Sequence, residues 1–97
     1  MNLTKLHIDC KKNGRKVFES FKHHIKYYPF EGEIDIQGCI DYDIEKEFGR
    51  SVLKHHITGN ESSIQLKTMC KIVESYKTII ISTCWKYAEN FIENKKN

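Results

Sequence analysis

The chain of 97 residues has one proline, five glycines and no long apolar run. Its longest aliphatic stretch is Ile79–Ile81, far short of the roughly 18 apolar residues that a membrane-spanning helix requires. The lone proline, Pro29, excludes a proline-rich linker between two domains. The first residues lack the charged and then apolar pattern of a secretion signal. We therefore expect one cytoplasmic domain over residues 1–97, with a frayed tail at about 93–97 and no membrane contact.

Cysteine and histidine are present, but the spacings typical of metal sites are missing. No Cys-x₂-Cys and no His-x₃-His occurs, and neighbouring histidines on a helix would point about 100° apart. The sequence therefore predicts no metal site and no cofactor. Without a secretion signal, we expect free thiols in a reducing compartment rather than disulfides. The four cysteines are Cys10, Cys39, Cys70 and Cys84.

Charge of either sign is unevenly distributed along the chain. The net charge of +3 conceals +5 over residues 1–30, −6 over residues 31–48 and +4 over residues 49–97. An acidic segment between two basic ones is typical of a chain that contacts partners through charged surfaces. This asymmetry is the main functional indication in the sequence.

The N-terminal segment shows two successive periodicities. Apolar residues alternate with polar ones from Leu6 to Cys10, which predicts a strand. Asn13 and Gly14 form a turn pair. Apolar residues then follow at steps of three and four, which predicts a helix over about 14–28 that Pro29 ends. A second strand after the Asn13-Gly14 turn is the alternative.

Residues 33–45 alternate between apolar and acidic side chains, which is the period of a strand. A turn at Gln37-Gly38 would make them a β-hairpin, and one long strand with a bulge at Gly38 is the alternative. Either arrangement gathers carboxylates on one face, where like charges repel one another. We predict that this face binds a protein, with a solvated outer face and a metal site as alternatives. The carboxylates are Glu33, Asp35, Asp41 and Asp43.

An apolar residue recurs every seven positions in the C-terminal part, which predicts an amphipathic helix over about residues 62–95. Ser62 followed by Gln65 fits a capping box at its start. The β-branched run Thr78–Thr83 makes a helix–strand–helix split the alternative. The repeat consists of Leu66, Val73, Ile80 and Tyr87.

The predicted C-terminal helix is too long for a compact domain of this size. About 30 helical residues measure roughly 45 Å, against an expected radius of gyration near 13 Å. We expect the surplus length to contact another protein or a second copy in a homodimer. Aromatic side chains commonly anchor such contacts. The candidates are Tyr76, Trp85, Tyr87 and Phe91.

These patterns together predict an α+β fold. It comprises an N-terminal strand and helix, a central acidic β-hairpin, a second helix over about 45–57 that Gly59 ends, and a helical C-terminal half with a long amphipathic helix. For function we expect a small non-enzymatic regulator or inhibitor that binds a protein. Richness in Lys, Ile, Asn and Tyr indicates an AT-rich genome, as in a phage, virus or mobile element, and a viral source would place the protein in the host cytoplasm.

Nucleic-acid binding by the basic N-terminal helix is the first alternative function. Lysine and arginine neutralise phosphates and tyrosines stack on bases. Only two arginines occur in the chain, however, and no nucleic-acid-binding motif is present. The basic residues are Lys11, Lys12, Arg15, Lys16, Lys22 and Lys26.

A metal-dependent nuclease is the second alternative, with an incomplete motif. Glu19, Asp35 and Asp43 could supply carboxylates to a metal ion. The metal-dependent nuclease core that this arrangement resembles also has a Glu-x-Lys element, whereas Glu45 and Lys46 are adjacent here. Adjacent side chains of a strand point to opposite faces, so these two could not line one pocket.

Overall fold

The computed structural model describes residues 3–27, 30, 32–48 and 51–96. They form four helices: α1 (Leu3–Tyr27), α2 (Glu33–Glu47), α3 (Ser51–Lys54) and α4 (Ser63–Lys96). Within these ranges no residue adopts a strand. The predicted α+β fold is therefore wrong, and the chain forms a helical bundle.

The N-terminal strand predicted from Leu6 to Cys10 is instead the first part of α1. Leu6 and Cys10 are four residues apart, so they share one helical face and are buried, while Ile8 between them is 58% exposed. The predicted turn at Asn13-Gly14 also lies within α1, where Asn13 Nδ2 donates to the carbonyl of Asp9 at 2.8 Å. The buried face of α1 consists of Leu6, Cys10, Gly14, Val17, Phe21 and Ile25.

The helix predicted over 14–28 is the second half of α1. It begins eleven residues earlier than predicted, at Leu3. Its predicted end at Pro29 lies outside the described residues. Gly14 lies on the buried face of α1, opposite Ile80 of α4. A Cβ at this position would lie 2.8 Å from Cδ1 of Ile80, which explains why the residue is a glycine. The two helices therefore approach closely at this level.

The predicted acidic β-hairpin is helix α2. Ile36, Ile40 and Ile44 are spaced by four and are buried against the core, whereas Ile34 is 89% exposed. Gln37-Gly38, the predicted turn, lies inside α2. The alternating isoleucines of this segment therefore also include a set at helical spacing. Only the isoleucines spaced by four residues face the core.

The helix predicted over 45–57 is interrupted. α2 ends at Glu47, α3 spans only Ser51–Lys54, and the following residues form a loop up to α4. Phe48 and Val52 are buried, so the apolar pattern of this segment still contributes to the core. Gly59 has φ +93° in the loop and does not end a helix.

The long helix predicted from the seven-residue repeat is continuous as α4. The predicted capping box forms at its start: Ser62 N donates to Gln65 Oε1 at 2.8 Å, and Gln65 N donates to Ser62 Oγ at 3.2 Å. The β-branched run stays helical, and the Thr83 hydroxyl donates to the carbonyl of Ile79. Met69, Val73, Ile80, Cys84 and Ala88 form its buried face.

Contacts between side chains define the topology. α1 and α4 run parallel, since His7 shares a 2.7 Å hydrogen bond with Tyr76 and the Phe18 ring meets that of Tyr87. The segment made of α2 and α3 runs antiparallel to α1. Asp43 contacts the C-terminal half of α1, whereas the later residue His56 donates through Nε2 to Asp9 Oδ2, near the start of α1, at 2.6 Å. The result is a rod of 54 × 18 × 18 Å whose length α4 spans.

Replacing Gly38 by alanine distinguishes the helix from the predicted hairpin. Nothing lies within 4 Å of a Cβ at this exposed helical position, so Gly38→Ala should raise the free energy of unfolding by about 1 kcal/mol. Gly14→Ala is the matched contrast, because Ile80 obstructs its Cβ and offsets the gain. Chemical denaturation measures both. A loss of stability in Gly38→Ala would indicate a turn at this position.

The loop before α4 is organised by Glu61. Its carboxylate accepts hydrogen bonds from the backbone N–H and hydroxyl of Thr58 and from the N–H of Gly59. These bonds, led by the backbone bond from Thr58, lower the pKa of Glu61 from 4.5 to about 2. The stabilisation is therefore present above pH 4.5 and is lost as the pH falls towards 2.

The corresponding measurement is an NMR titration of the Glu61 side chain. We expect a midpoint well below 4.5, and Glu61→Gln should reduce stability at pH 7 but not at pH 2. A midpoint near 4.5 would show that the loop bonds are not maintained in solution.

Candidate functional site

Two features of the bundle are candidate functional sites. The first is a partly buried polar cluster between α1 and α2, formed by Ser20, His24, Cys39 and Asp43. The second is an open groove between α1 and α4, which we call the α1–α4 groove. They lie on different pairs of helices, so each is described separately.

The polar cluster is centred on Asp43, which is completely buried. Ser20 Oγ donates to Oδ1 at 3.0 Å, and His24 Nδ1 donates to Oδ2 at 2.9 Å. Cys39 Sγ, one turn earlier on α2, donates to Oδ2 at 3.6 Å. Burying a carboxylate is costly unless it is hydrogen-bonded, and these three donors offset that cost.

Helical spacing builds this cluster from two short sequence patterns. Ser20 and His24 are four residues apart on α1, and Cys39 and Asp43 are four apart on α2, so each pair shares a face. Sequence reasoning missed the set because residues 33–45 were interpreted as strands. The i, i+4 spacing was the available signal.

Burial and charge keep the thiols near the cluster protonated. Burial, the charge of Asp43 and the hydrogen bond to Asp43 raise the pKa of Cys39 to about 12. Burial, followed by the charge of Asp43, raises the pKa of Cys84 in α4 to about 12 as well. Nucleophilic attack needs a thiolate, so this environment does not activate Cys39.

The cluster also differs from a catalytic triad in its connections. His24 contacts Asp43 through Nδ1, as a triad histidine does. The Ser20 hydroxyl, however, donates to the same carboxylate and not to the imidazole. The arrangement therefore orients the carboxylate and does not activate a hydroxyl nucleophile.

The predicted acidic face does not persist as one surface. Glu33, Asp35 and Asp41 are exposed on α2, whereas Asp43 points into the bundle. Glu33 and Asp35 lie in the first turn of α2, where the helix dipole favours negative charge. Asp41 accepts a 2.8 Å hydrogen bond from Gln37. The grouping of four carboxylates on a sheet is wrong, because no sheet forms in the described residues.

The carboxylates of the nuclease alternative are not gathered. Asp35 and Asp43 lie eight residues apart on α2, which corresponds to roughly 12 Å along its axis. Glu19 is on the outer side of α1, where it pairs with Lys22 at 2.8 Å. The structure therefore gives this alternative no common metal-binding point.

The α1–α4 groove is a mostly apolar depression of about 480 Å³. Gly14, Phe18 and Ile80 contribute to its lining, together with Ile79, which is 61% exposed. Gly14 allows α1 and α4 to approach each other closely. This close approach brings the apolar lining residues of α1 next to those of α4. The lining also includes Cys10, Lys11, Arg15, Glu19, Tyr76 and Thr83.

The aromatic residues predicted to contact a partner occupy different positions. Tyr76 lines the α1–α4 groove. Tyr87 stacks on Phe91 with ring centroids 6.2 Å apart. Trp85 is directed towards α2, where its Nε1 donates to Gln37 Oε1 at 2.7 Å. Phe18 and Ile79 were not predicted as groove residues. Their exposure depends on which helix packs against each face of α1 and α4, and the sequence pattern does not give that packing.

The predicted basic residues lie on the outer side of α1. Lys11 and Arg15 border the α1–α4 groove. Lys22 extends over the ring of Phe18, 4.8 Å from its centroid, and Lys26 extends over that of Tyr27. Lys12 and Lys16 are exposed as well. A basic edge therefore runs beside the apolar groove.

Replacing Asp43 by asparagine should destabilise the fold. The asparagine NH₂ would face groups that donate, so we expect the free energy of unfolding to fall by about 1–3 kcal/mol. Asp41→Asn is the matched control on the same helix, and its exposed site should change stability by less than about 0.5 kcal/mol. Urea denaturation compares the two. Equal effects would contradict a buried, hydrogen-bonded Asp43.

No helix within the described residues is long and apolar enough to cross a membrane. Comparison of the chain with protein-family models, with curated proteins and with solved structures gave no match. The function therefore has to be argued from the side chains of the two candidate sites.

Proposed function

We propose that the protein is a small binding module that takes up a helix of another protein in the α1–α4 groove. The observation that carries this proposal is the groove itself, an apolar depression between two parallel helices. An amphipathic helix laid into an apolar groove is a recurrent mode of protein recognition. The proposal keeps the function expected from the sequence but moves its site away from the acidic segment.

The apolar part of the groove fits an aliphatic or aromatic side chain of a partner. Ile79 exposes 61% of its surface beside the groove, and covering such apolar surface lowers the free energy of the system. Tyr76 and Phe18 add aromatic area, which is common at the centre of interfaces. The groove is therefore suited to two or three apolar anchors on one face of a helix.

The charges beside the groove indicate an acidic partner. Lys11 and Arg15 line it. Glu19 lines it as well, but its carboxylate pairs with Lys22, which lies over the neighbouring Phe18 ring. Carboxylates flanking the apolar face of a partner helix would meet these cations and fix its orientation. The exposed carboxylates of α2 would repel the same partner from the opposite side of the bundle.

The basic edge of α1 also favours nucleic acid as the second candidate. Lys11, Arg15, Lys22 and Lys26 fall within about 60° of one another around the helix, at 100° per residue. Phosphate binding by such an edge would weaken steeply with salt, whereas apolar docking would weaken much less. Salt dependence therefore separates the two candidates.

Affinity capture with matched variants tests the proposed function. Wild-type protein, Ile79→Asp and Ile34→Asp would be compared in lysate of the source organism, after nuclease treatment and at moderate salt. Both isoleucines are exposed on helices, but only Ile79 lines the groove. We expect wild type and Ile34→Asp to retain one stoichiometric protein that Ile79→Asp loses.

Three results would contradict the proposal. Capture that Ile79→Asp retains would place the interface elsewhere. Material that nuclease removes would favour nucleic acid. Light scattering that shows a homodimer dissociated by Ile79→Asp would assign the groove to a second copy of the chain.

A further inference from the structure

We propose that His24, Cys39 and Asp43 bind one thiophilic divalent cation of the zinc class. Their ligand atoms all lie within 4.8 Å of one another, and among the described residues no other such group of three occurs. The site lies between α1 and α2 and is independent of the function proposed for the α1–α4 groove.

Two of the three distances between these ligand atoms are close to those of a tetrahedral zinc site. Zinc bonds of roughly 2.0–2.1 Å to nitrogen and oxygen and about 2.3 Å to sulfur imply edges of roughly 3.3 Å for N···O and about 3.5 Å for S···O. The observed edges are 2.9 Å for His24 to Asp43 and 3.6 Å for Cys39 to Asp43. The third edge, from His24 to Cys39, is within 4.8 Å. A small outward movement of the imidazole would therefore admit the cation.

The helices already hold the ligands in position. Cys39 and Asp43 stand one turn apart on α2, and α1 presents His24 to both. Ser20 donates to Oδ1 of Asp43, which leaves Oδ2 directed at the other two ligands. Hydrogen bonds of this kind to a ligating carboxylate orient it and support affinity.

A fourth ligand can come from solvent. A depression of about 280 Å³ adjoins the cluster, and His24, Phe30, Cys39 and Tyr42 line it. Tyr42 is exposed and His24 is only partly buried, so water has access from this side. Three protein ligands with one water complete a tetrahedron.

The chemistry of the donors selects the cation. A thiolate and an imidazole suit zinc, whereas magnesium and calcium prefer oxygen ligands alone. On binding, a neutral His24 places its proton on Nε2 and coordinates through Nδ1. The cation displaces the proton that the Cys39 thiol otherwise retains, and this proton goes to solvent. The carboxylate and the thiolate then balance the two positive charges of the cation, so the buried site carries no net charge.

Cobalt titration of the metal-free, reduced chain tests the proposal, because Co²⁺ reports its ligands in the visible and near-ultraviolet spectrum. We expect one equivalent to bind with tetrahedral absorption bands and a thiolate-to-cobalt charge-transfer band, and Zn²⁺ to displace it. Cys39→Ser should abolish the charge-transfer band. The matched control, Cys70→Ser, changes an exposed thiol on α4 and should behave as wild type.

A second ligand variant tests the same site if Cys39→Ser fails to fold. His24→Gln alters a partly exposed side chain and should weaken Co²⁺ binding at least tenfold, with the helical circular dichroism unchanged. At a Zn²⁺ concentration near the wild-type dissociation constant, the melting temperature should rise more for wild type and Cys70→Ser than for either ligand variant. A charge-transfer band that persists in Cys39→Ser, affinity unchanged in His24→Gln, or absence of binding at millimolar Co²⁺ would overturn the proposal.

Discussion

The packing of α2 against α1 depends on supplying hydrogen-bond donors to the buried carboxylate of Asp43. A fully buried carboxylate needs donors, and Ser20, His24 and Cys39 supply them from two helices. Sliding α2 along α1 by one turn would separate these groups and leave a buried charge without partners. The polar cluster therefore fixes the register of α1 against α2, while the apolar residues around it provide the larger share of the driving force.

The other long contact, between α1 and α4, follows a different physical rule. A Cβ on Gly14 would lie 2.8 Å from Cδ1 of Ile80, so the Ile80 side chain would have to shift to admit it, and the helices approach closely here. Because the α2–α3 segment covers only one side of this pair, the opposite side remains open as the α1–α4 groove. The glycine that tightens the bundle thus also shapes the surface through which we propose that it binds a partner.

Parts of the structure governed by local chemistry were predictable from the sequence. The capping box of Ser62 and Gln65 and the seven-residue repeat of α4 depend on neighbours along the chain, and both were predicted. Residues 33–45 were not, because their isoleucines satisfy periods of two and of four at once. Only packing against α1 decides that Ile36 and Ile40 turn inward while Ile34 faces solvent. The cluster was missed for the same reason, since the strand interpretation placed Asp43 outside.

Asp43 faces α1 through a contact with His24, and a double-mutant cycle between these two residues tests that contact most directly. Stability would be measured by urea denaturation for wild type, His24→Gln, Asp43→Asn and the double variant, in buffer free of divalent metal. We expect a coupling free energy between about 0.5 and 3 kcal/mol, as for residues in one buried network. Additive effects, within about 0.3 kcal/mol, would place the two side chains apart and contradict the account.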